Sequence, residues 1–298
     1  MPIKFCYLGS RELAAQRLPV VITAYNRPKH LQATLTSLMV CHEASEFDLF
    51  VYVDGAKSTE DQNCKAVREV VESITGFNSI SVSVRPKNIG LAGNVISAVT
   101  EVMSRSQGAI VLEDDMLVNP NFLVFMNEAF FHYQANPHVG CITGYSPPID
   151  TLSDTSHDLF ASTRSSTWGW CMKADDWLSI DWRRELFEDL LKDETFLHKL
   201  NIAGNDRSGL LRAFVNNKLD IWGIRRGAWQ VANNKLTLYP KFSMLRNTGL
   251  DGSGQNCGVW KEHEIGYRED FRPLDFPEIN GYTPDTTCEA KLNAFYSR

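Results

Sequence analysis

The sequence predicts an α/β protein: a mainly parallel sheet with helices on both faces. Four short apolar, β-branched runs alternate with three stretches of helical spacing between residues 18 and 112. Each run stops at polar or charged residues, where ligands gather in open parallel sheets. A chain of 298 residues, 43% hydrophobic and 22% charged, has material for a sizeable core.

The elements follow in order. Leu18 to Ala24 is a buried strand, and Pro28 then opens a helix with apolar residues at Leu31, Leu35 and Leu38. Phe47 to Val53 is the second strand, ending at Asp54-Gly55, and Val67 to Ile74 has helical spacing. Ile80 to Val84 alternates as a third strand, Leu91 to Met103 reads as helix, and Ala109 to Leu112 is a fourth strand ending at Glu113. The second half is richer in Trp, Gly and Asn and poor in periodicity. Residues 145–167 read as a long polar loop with a short strand near Leu159-Phe160. Helices are expected around Ala174–Leu178, Leu186–Lys192 and Asp206–Asn216, and residues 246–258 as a Gly- and Asn-rich loop. The change of character near 140–150 divides one compact unit into lobes 1–145 and 146–298.

Bulk chemistry narrows the classes. A net charge of -6 argues against a nucleic-acid partner. The N-terminus shows no signal-type apolar segment, and no run reaches the roughly 18–20 residues of a membrane span. A cytoplasmic protein is expected, with peripheral contact at the inner membrane face left open. Seven scattered cysteines without a CxxC pair read as free thiols. The sequence sets no oligomeric state.

The acids at the fourth strand carry the chemistry. Adjacent carboxylates beside a buried strand are costly unless neutralised. An oxygen-only set suits Mg2+ or Mn2+, which would join a carboxylate to a diphosphate and act as a Lewis acid on the leaving group. A solvated acidic turn is the bland alternative, and the position after the fourth β-α unit speaks against it.

The ordered segments VVITAYNRP, FVYVDG, RPKNIGLAGN and AIVLEDDMLVNPNFL resemble the donor half of the GT-A glycosyltransferases, with Glu113-Asp114-Asp115 as their DXD-type motif. Arg27, Asp54, the triplet, Trp168-Gly169-Trp170 and Asp220-Ile221-Trp222 are similar to the family of N-acetylglucosaminyltransferase I and related bacterial polysaccharide transferases. The likeness spans roughly residues 18–258; Ile221 is a departure, because the family's acid can directly precede its Trp. The resemblance implies a nucleotide-sugar donor lobe (1–145) and an acceptor and catalytic lobe (146–298). It implies that Asp115 holds the metal, Asp114 the ribose or sugar hydroxyls, and Glu113 the donor sugar. Asp54 would accept from a uracil or thymine base, and Arg27 would lie against base or phosphate. Asn88 and Gly90 are donor-loop candidates, Gly90 for close backbone approach; a plain helix start is the alternative.

An inverting transfer needs a carboxylate to take the acceptor's proton. Asp220 is the choice, and Asp175, Asp176, Asp181 and Asp206 are the rivals. Asp206 reads as a helix N-cap, and Asp175 and Asp176 as first-turn acids. If the Trp168–Trp170 segment is a strand, both rings share one face, and at least one, with Trp170 named, lines the donor sugar pocket. The Gly-rich loop is expected to close over the donor, and His263 is a weaker candidate metal ligand. The function expected is metal-dependent transfer from a UDP- or dTDP-sugar to a glycan or lipid-linked glycan in bacterial surface polysaccharide synthesis. A nucleotidyltransferase and a non-catalytic nucleotide-sugar-binding module are the competing classes; AYNRPKHL lacks the glycines the former wants.

Overall fold

The computed structural model describes residues 16–58, 61–149, 152, 155–253 and 268–297. Strand β1 (Val20–Ala24) is buried throughout, the place a β-branched run without charge must take. Helix α1 (Pro28–Met39) starts on its proline and buries Leu31, Thr34, Leu35 and Leu38, one stripe of a 3.6-residue period. After a short 3-10 turn come β2 (Asp48–Val53) and α2 (Gln62–Glu72). The side chain of Asp61 accepts the amides of Asn63 and Cys64, so α2 begins five residues before the periodicity from Val67 suggests. Then follow β3 (Ser79–Val84), α3 (Gly90–Met103) and β4 (Gly108–Glu113).

These strands lie in the order β3-β2-β1-β4, all parallel. The alternation along β1 divides two cores. Val20, Ile22 and Ala24 face Leu31, Leu35, Val67 and Val71 from α1 and α2, whereas Val21 faces Val95 and Val99 from α3. Helices therefore cover both faces, as expected.

The second half holds the three expected helices and the expected short strand at Leu159, together with elements the sequence did not announce. Short β5 (Met116–Val118) is followed by α4 (Phe122–Tyr133), which buries nearly every face and so shows no amphipathic stripe. Strands β6 (Val139–Thr143), β7 (Leu159–Ser162) and β8 (Trp170–Lys173) precede α5 (Ala174–Leu178), α6 (Arg184–Leu190), α7 (Glu194–Leu200) and α8 (Asp206–Val215). Helix α9 (Trp222–Ala232), β9 (Leu236–Pro240), β10 (Leu245–Asn247) and α10 (Thr286–Tyr296) complete the described chain. The sheet continues from β4 through β8-β6-β9-β7, so strands from both sides of residue 145 interleave in one eight-stranded sheet. Antiparallel β8 joins the halves between β4 and β6.

Cys41, Cys64, Cys141, Cys171 and Cys288 are free and buried, as read; Cys6 and Cys257 lie outside the described residues. No described helix is long and apolar enough to cross a membrane.

Candidate active site

The chain leaves β1 toward β2 on one side, and β4 pairs on the other. At such a switch of direction the loops diverge and open a crevice at the carboxyl ends of the strands. Arg27, at the N-cap of α1, enters it from β1. Glu113, the last residue of β4, enters from the other side, with Asp114 and Asp115 in the turn to β5.

The Arg27 guanidinium donates through Nη2 to Asp114 Oδ1 and lies 2.8 Å from Asp115 Oδ2. The turn is pinned through its carbonyls. Thr34 Oγ1 donates to the Asp114 oxygen at 2.8 Å, and Thr248 donates to the Asp115 oxygen from its amide at 2.8 Å and its hydroxyl at 3.1 Å. Thr248 arrives because β10 pairs antiparallel with β5, Asn247 opposite Met116. His30 Nε2 stands 3.2 Å from the Thr248 carbonyl and 3.3 Å from an Asp251 carboxylate oxygen. A Cβ at Gly249 would fall 2.0 Å from Asp115 Oδ2 and 2.6 Å from Arg27 Nη1, so only glycine passes there. Thus the first residues of the Gly-rich loop are a fixed wall of the crevice. Gly254, Gly258 and His263 lie outside the described residues.

Three carboxylates meet one cation here. Burial, then the charges of Asp115 and Asp114, push Glu113 up to about 8. Burial likewise raises Asp114, to about 6, against the pull of Arg27. Burial opposes the charge on Arg27, but the triplet outweighs it and raises its pKa. Asp115 is 5% exposed, and its Oδ1 is buried with no hydrogen-bond partner. A buried carboxylate oxygen without a donor is costly, and a divalent cation would satisfy it. Among the described residues no group of three His, Cys, Asp or Glu side chains could hold a metal by itself.

The other expected residues distribute differently. Asp54 is buried, and each of its carboxylate oxygens accepts two N–H groups. Oδ1 takes the amides of Gly55 and Ile89 at 2.8 and 2.9 Å; Oδ2 takes the Asn88 side chain and the Gly90 amide at 2.9 and 3.0 Å. These fill the lone-pair positions of a carboxylate. Here Asp54 holds the β3–α3 loop rather than presenting a free acceptor to a base, and Asn88 and Gly90 serve the same joint.

Trp170 also needs correction. Gly169 adopts φ +52, so the strand begins after it and the two tryptophans do not share a face. Trp168 packs on Tyr145 at 4.5 Å against the α1 side, whereas Trp170, 1% exposed, stacks on Trp177 at 5.5 Å in the α3-side core. A ring so enclosed has no face for a sugar. It packs on Trp222, 5.6 Å away, and the Trp222 side chain partly offsets the rise of Glu113.

Asp220, two residues before Trp222, is ion-paired to Arg225 at 2.9 Å, and its side chain is 67% exposed. Asp175 lies exposed in the first turn of α5, and the other three rivals are engaged elsewhere. Asp206 is bidentate to Arg164, Asp176 pairs with Lys235, and Asp181 pairs with Arg183. Asp206 occupies the first helical position rather than the N-cap, which is Asn205. His30, Trp222, Thr248 and Gly249 were missed as site residues. The β10–β5 pairing that gathers Thr248 and Gly249 has no local signal.

The GNT-I family model matches residues 10–199, and the chain belongs to that glycosyltransferase family. The fold is accordingly GT-A, in agreement with the motif resemblance. Similar solved structures include S. aureus TarS 1-349, 14% identical over 53% of this chain and 47% of that one, TM-score 0.34. Mannosyltransferase PcManGT from Pyrobaculum calidifontis, in complex with GDP-Man and Mn2+, is 17% identical over 59% and 47%, TM-score 0.37. The chain spans about half the length of these two proteins. No curated protein matches the sequence.

Proposed function

We propose that the protein is a metal-dependent, inverting glycosyltransferase that moves a sugar from a UDP- or dTDP-sugar to a glycan or lipid-linked glycan acceptor. The observation that carries this is the buried, unpartnered Asp115 Oδ1 beside Arg27 at the β1/β4 crevice, in a chain of the GNT-I family. Asp115, with its carboxylate in excess over Arg27, would hold Mn2+ or Mg2+. The bound ion would supply Lewis-acid neutralisation of the departing diphosphate. Arg27 would release Asp114 toward donor hydroxyls and lie along the phosphates. Glu113, pushed up by burial and by its acidic neighbours, would face the donor sugar. Asp54 would act on the donor through the loop it holds.

Asp220 is the proposed general base. Its carboxylate lies 2.9 Å from Arg225, is open to an incoming acceptor, and stands two residues before Trp222. Synthesis of a bacterial surface polysaccharide at the cytoplasmic membrane face remains the setting we infer.

The test is a panel of UDP-, dTDP- and GDP-sugars with and without Mn2+, read as release of free nucleotide diphosphate. The proposal expects Mn2+-dependent release from a UDP- or dTDP-sugar. Preference for the GDP-sugars contradicts the nucleoside; tight binding without release would favour a non-catalytic binding module.

A further inference from the structure

The last row of the β1/β4 pairing ends at the crevice, with Thr23 in register with Glu113. Residues in register on neighbouring strands, about 4.8 Å apart, point to the same face of the sheet. That face packs Val21, Tyr52 and Val111 against α3 and Trp222. The row therefore sets a hydroxyl and a carboxyl side by side in a mainly apolar layer.

Thr23 is 3% exposed, and its Oγ1 is buried without a hydrogen-bond partner among the described residues. An idle buried hydroxyl is uncommon and costs stability. The rest of β1 is Val20, Val21, Ile22 and Ala24. Valine has the shape of threonine without the hydroxyl, so packing alone would favour valine at position 23. Groups that lower stability in this way gather at functional sites.

The neighbours narrow what the hydroxyl can serve. On the β2 side its partner in register is Tyr52. The Tyr52 ring lies under the Arg85 guanidinium, and its carbonyl already takes the Asn94 side chain at 3.1 Å. On the β4 side stands Glu113, which is only partly covered. Its side chain is long enough for a change of rotamer to bring a carboxyl oxygen to a hydroxyl on the adjacent strand.

We propose that Thr23 is a positioning residue, whose hydroxyl donates to a Glu113 carboxyl oxygen and holds that carboxyl toward the donor sugar when a nucleotide-sugar occupies the crevice. Thr23 is too deeply buried to touch the donor and acts through Glu113. The inference rests on the sugar-transfer reading of the triplet and deepens it. It assigns the group on which recognition of the sugar, as distinct from the nucleoside diphosphate, depends.

Thr23→Val and Thr23→Ser separate this role from a structural one, because stability and recognition should rank them in opposite orders. The full chain is melted without ligand. It is then titrated with Mn2+ and UDP or dTDP, and with Mn2+ and UDP-glucose, UDP-galactose, UDP-N-acetylglucosamine or dTDP-glucose. Thr23→Val should melt no lower than the unmodified protein, and Thr23→Ser lower, since it loses a buried methyl. Affinity for the diphosphates should not change in either variant. Affinity for the sugar nucleotide that the unmodified protein binds best should fall about fivefold in Thr23→Val and stay within about twofold in Thr23→Ser. In a Glu113→Ala background Thr23→Val should weaken that binding no further. Sugar-nucleotide affinity that is unchanged in Thr23→Val, or that follows stability and is weaker in Thr23→Ser, overturns the inference. So does an undiminished effect of Thr23→Val without Glu113, or binding of the diphosphates with none of these sugar nucleotides. Mn2+-dependent release of diphosphate by the unmodified protein tests the transfer reading alone. Its absence, with the Thr23→Val loss intact, would overturn transfer and leave Thr23 positioning Glu113 in a binding module.

Discussion

Two arginines in this molecule hold carboxylates, with opposite results. Arg164 grips Asp206 with two hydrogen bonds of 2.8 Å, adds the Ala203 carbonyl at 3.2 Å, and lies 3.4 Å over the Tyr296 ring. One cation meets one anion, and the result ties α8 to α10. Arg27 faces three acids, leaves Asp115 Oδ1 without a partner, and sits where Glu113 and Asp114 are both pushed above their ordinary range. The balanced clasp is scaffold. We propose that the unbalanced one is a site, whose excess of carboxylate a cation and a phosphate would satisfy.

The balanced clasp should fail as structure. Arg164→Ala leaves Asp206 partly buried without its cation and should cost about 3–5 kcal/mol in denaturant unfolding. A loss below about 1 kcal/mol would mean that the clasp is ornamental.

Asp220→Asn should do the reverse. Its pair with Arg225 is exposed on the acid's side, so stability should change by less than about 1 kcal/mol. Transfer should fall by about a hundredfold or more, with donor affinity retained. Transfer within a few-fold of the unmodified enzyme would remove Asp220 as the base.

Gly249→Ala pushes a methyl onto Asp115 and Arg27. The strain of such overpacking is about 1–3 kcal/mol, and it should appear mainly as weaker Mn2+-dependent UDP binding. Unchanged binding would show that residues 248–249 stand off the triplet.

The smallest effect is a pH dependence of the metal-free protein. Glu113 and Asp114 have folded-state values of about 8 and 6, above their ordinary 4.5 and 3.8. The folded chain therefore binds extra protons between those limits, and stability falls as pH rises through about 6 and then 8. Melting in EDTA should be several degrees lower at pH 8.5 than at pH 5.5, and Glu113→Gln should flatten the slope. A slope of opposite sign in the unmodified chain, or one untouched by Glu113→Gln, contradicts the unbalanced clasp.

The same contrast explains what could be read in advance. Strands β1 to β4 are legible because each is an apolar run ended by polar residues, and the triplet is legible because its place after the fourth unit is a matter of order. Trp170 was misplaced because the left-handed turn at Gly169 leaves no mark on periodicity. Asp54 was given a ligand because its donors, at residues 88–90, are 34 to 36 positions away. Helix α9 hid because it carries Arg225, Arg226 and two glycines on buried faces. Its Trp222 was seen only as a landmark, and its packing on Trp170 is a tertiary fact.

The central claim is that Asp115 is the metal-holding member of an unbalanced clasp. The direct measurement is a thermal melt of the unmodified protein and Asp115→Asn, each with Mn2+ alone, UDP alone, and both. A ligand at 100 times its dissociation constant stabilises by about 2.7 kcal/mol. The unmodified protein should shift with UDP only when Mn2+ is present, and Asp115→Asn should fold but show no joint shift. An equal Mn2+-dependent shift in Asp115→Asn, or a UDP shift indifferent to Mn2+, would contradict the claim.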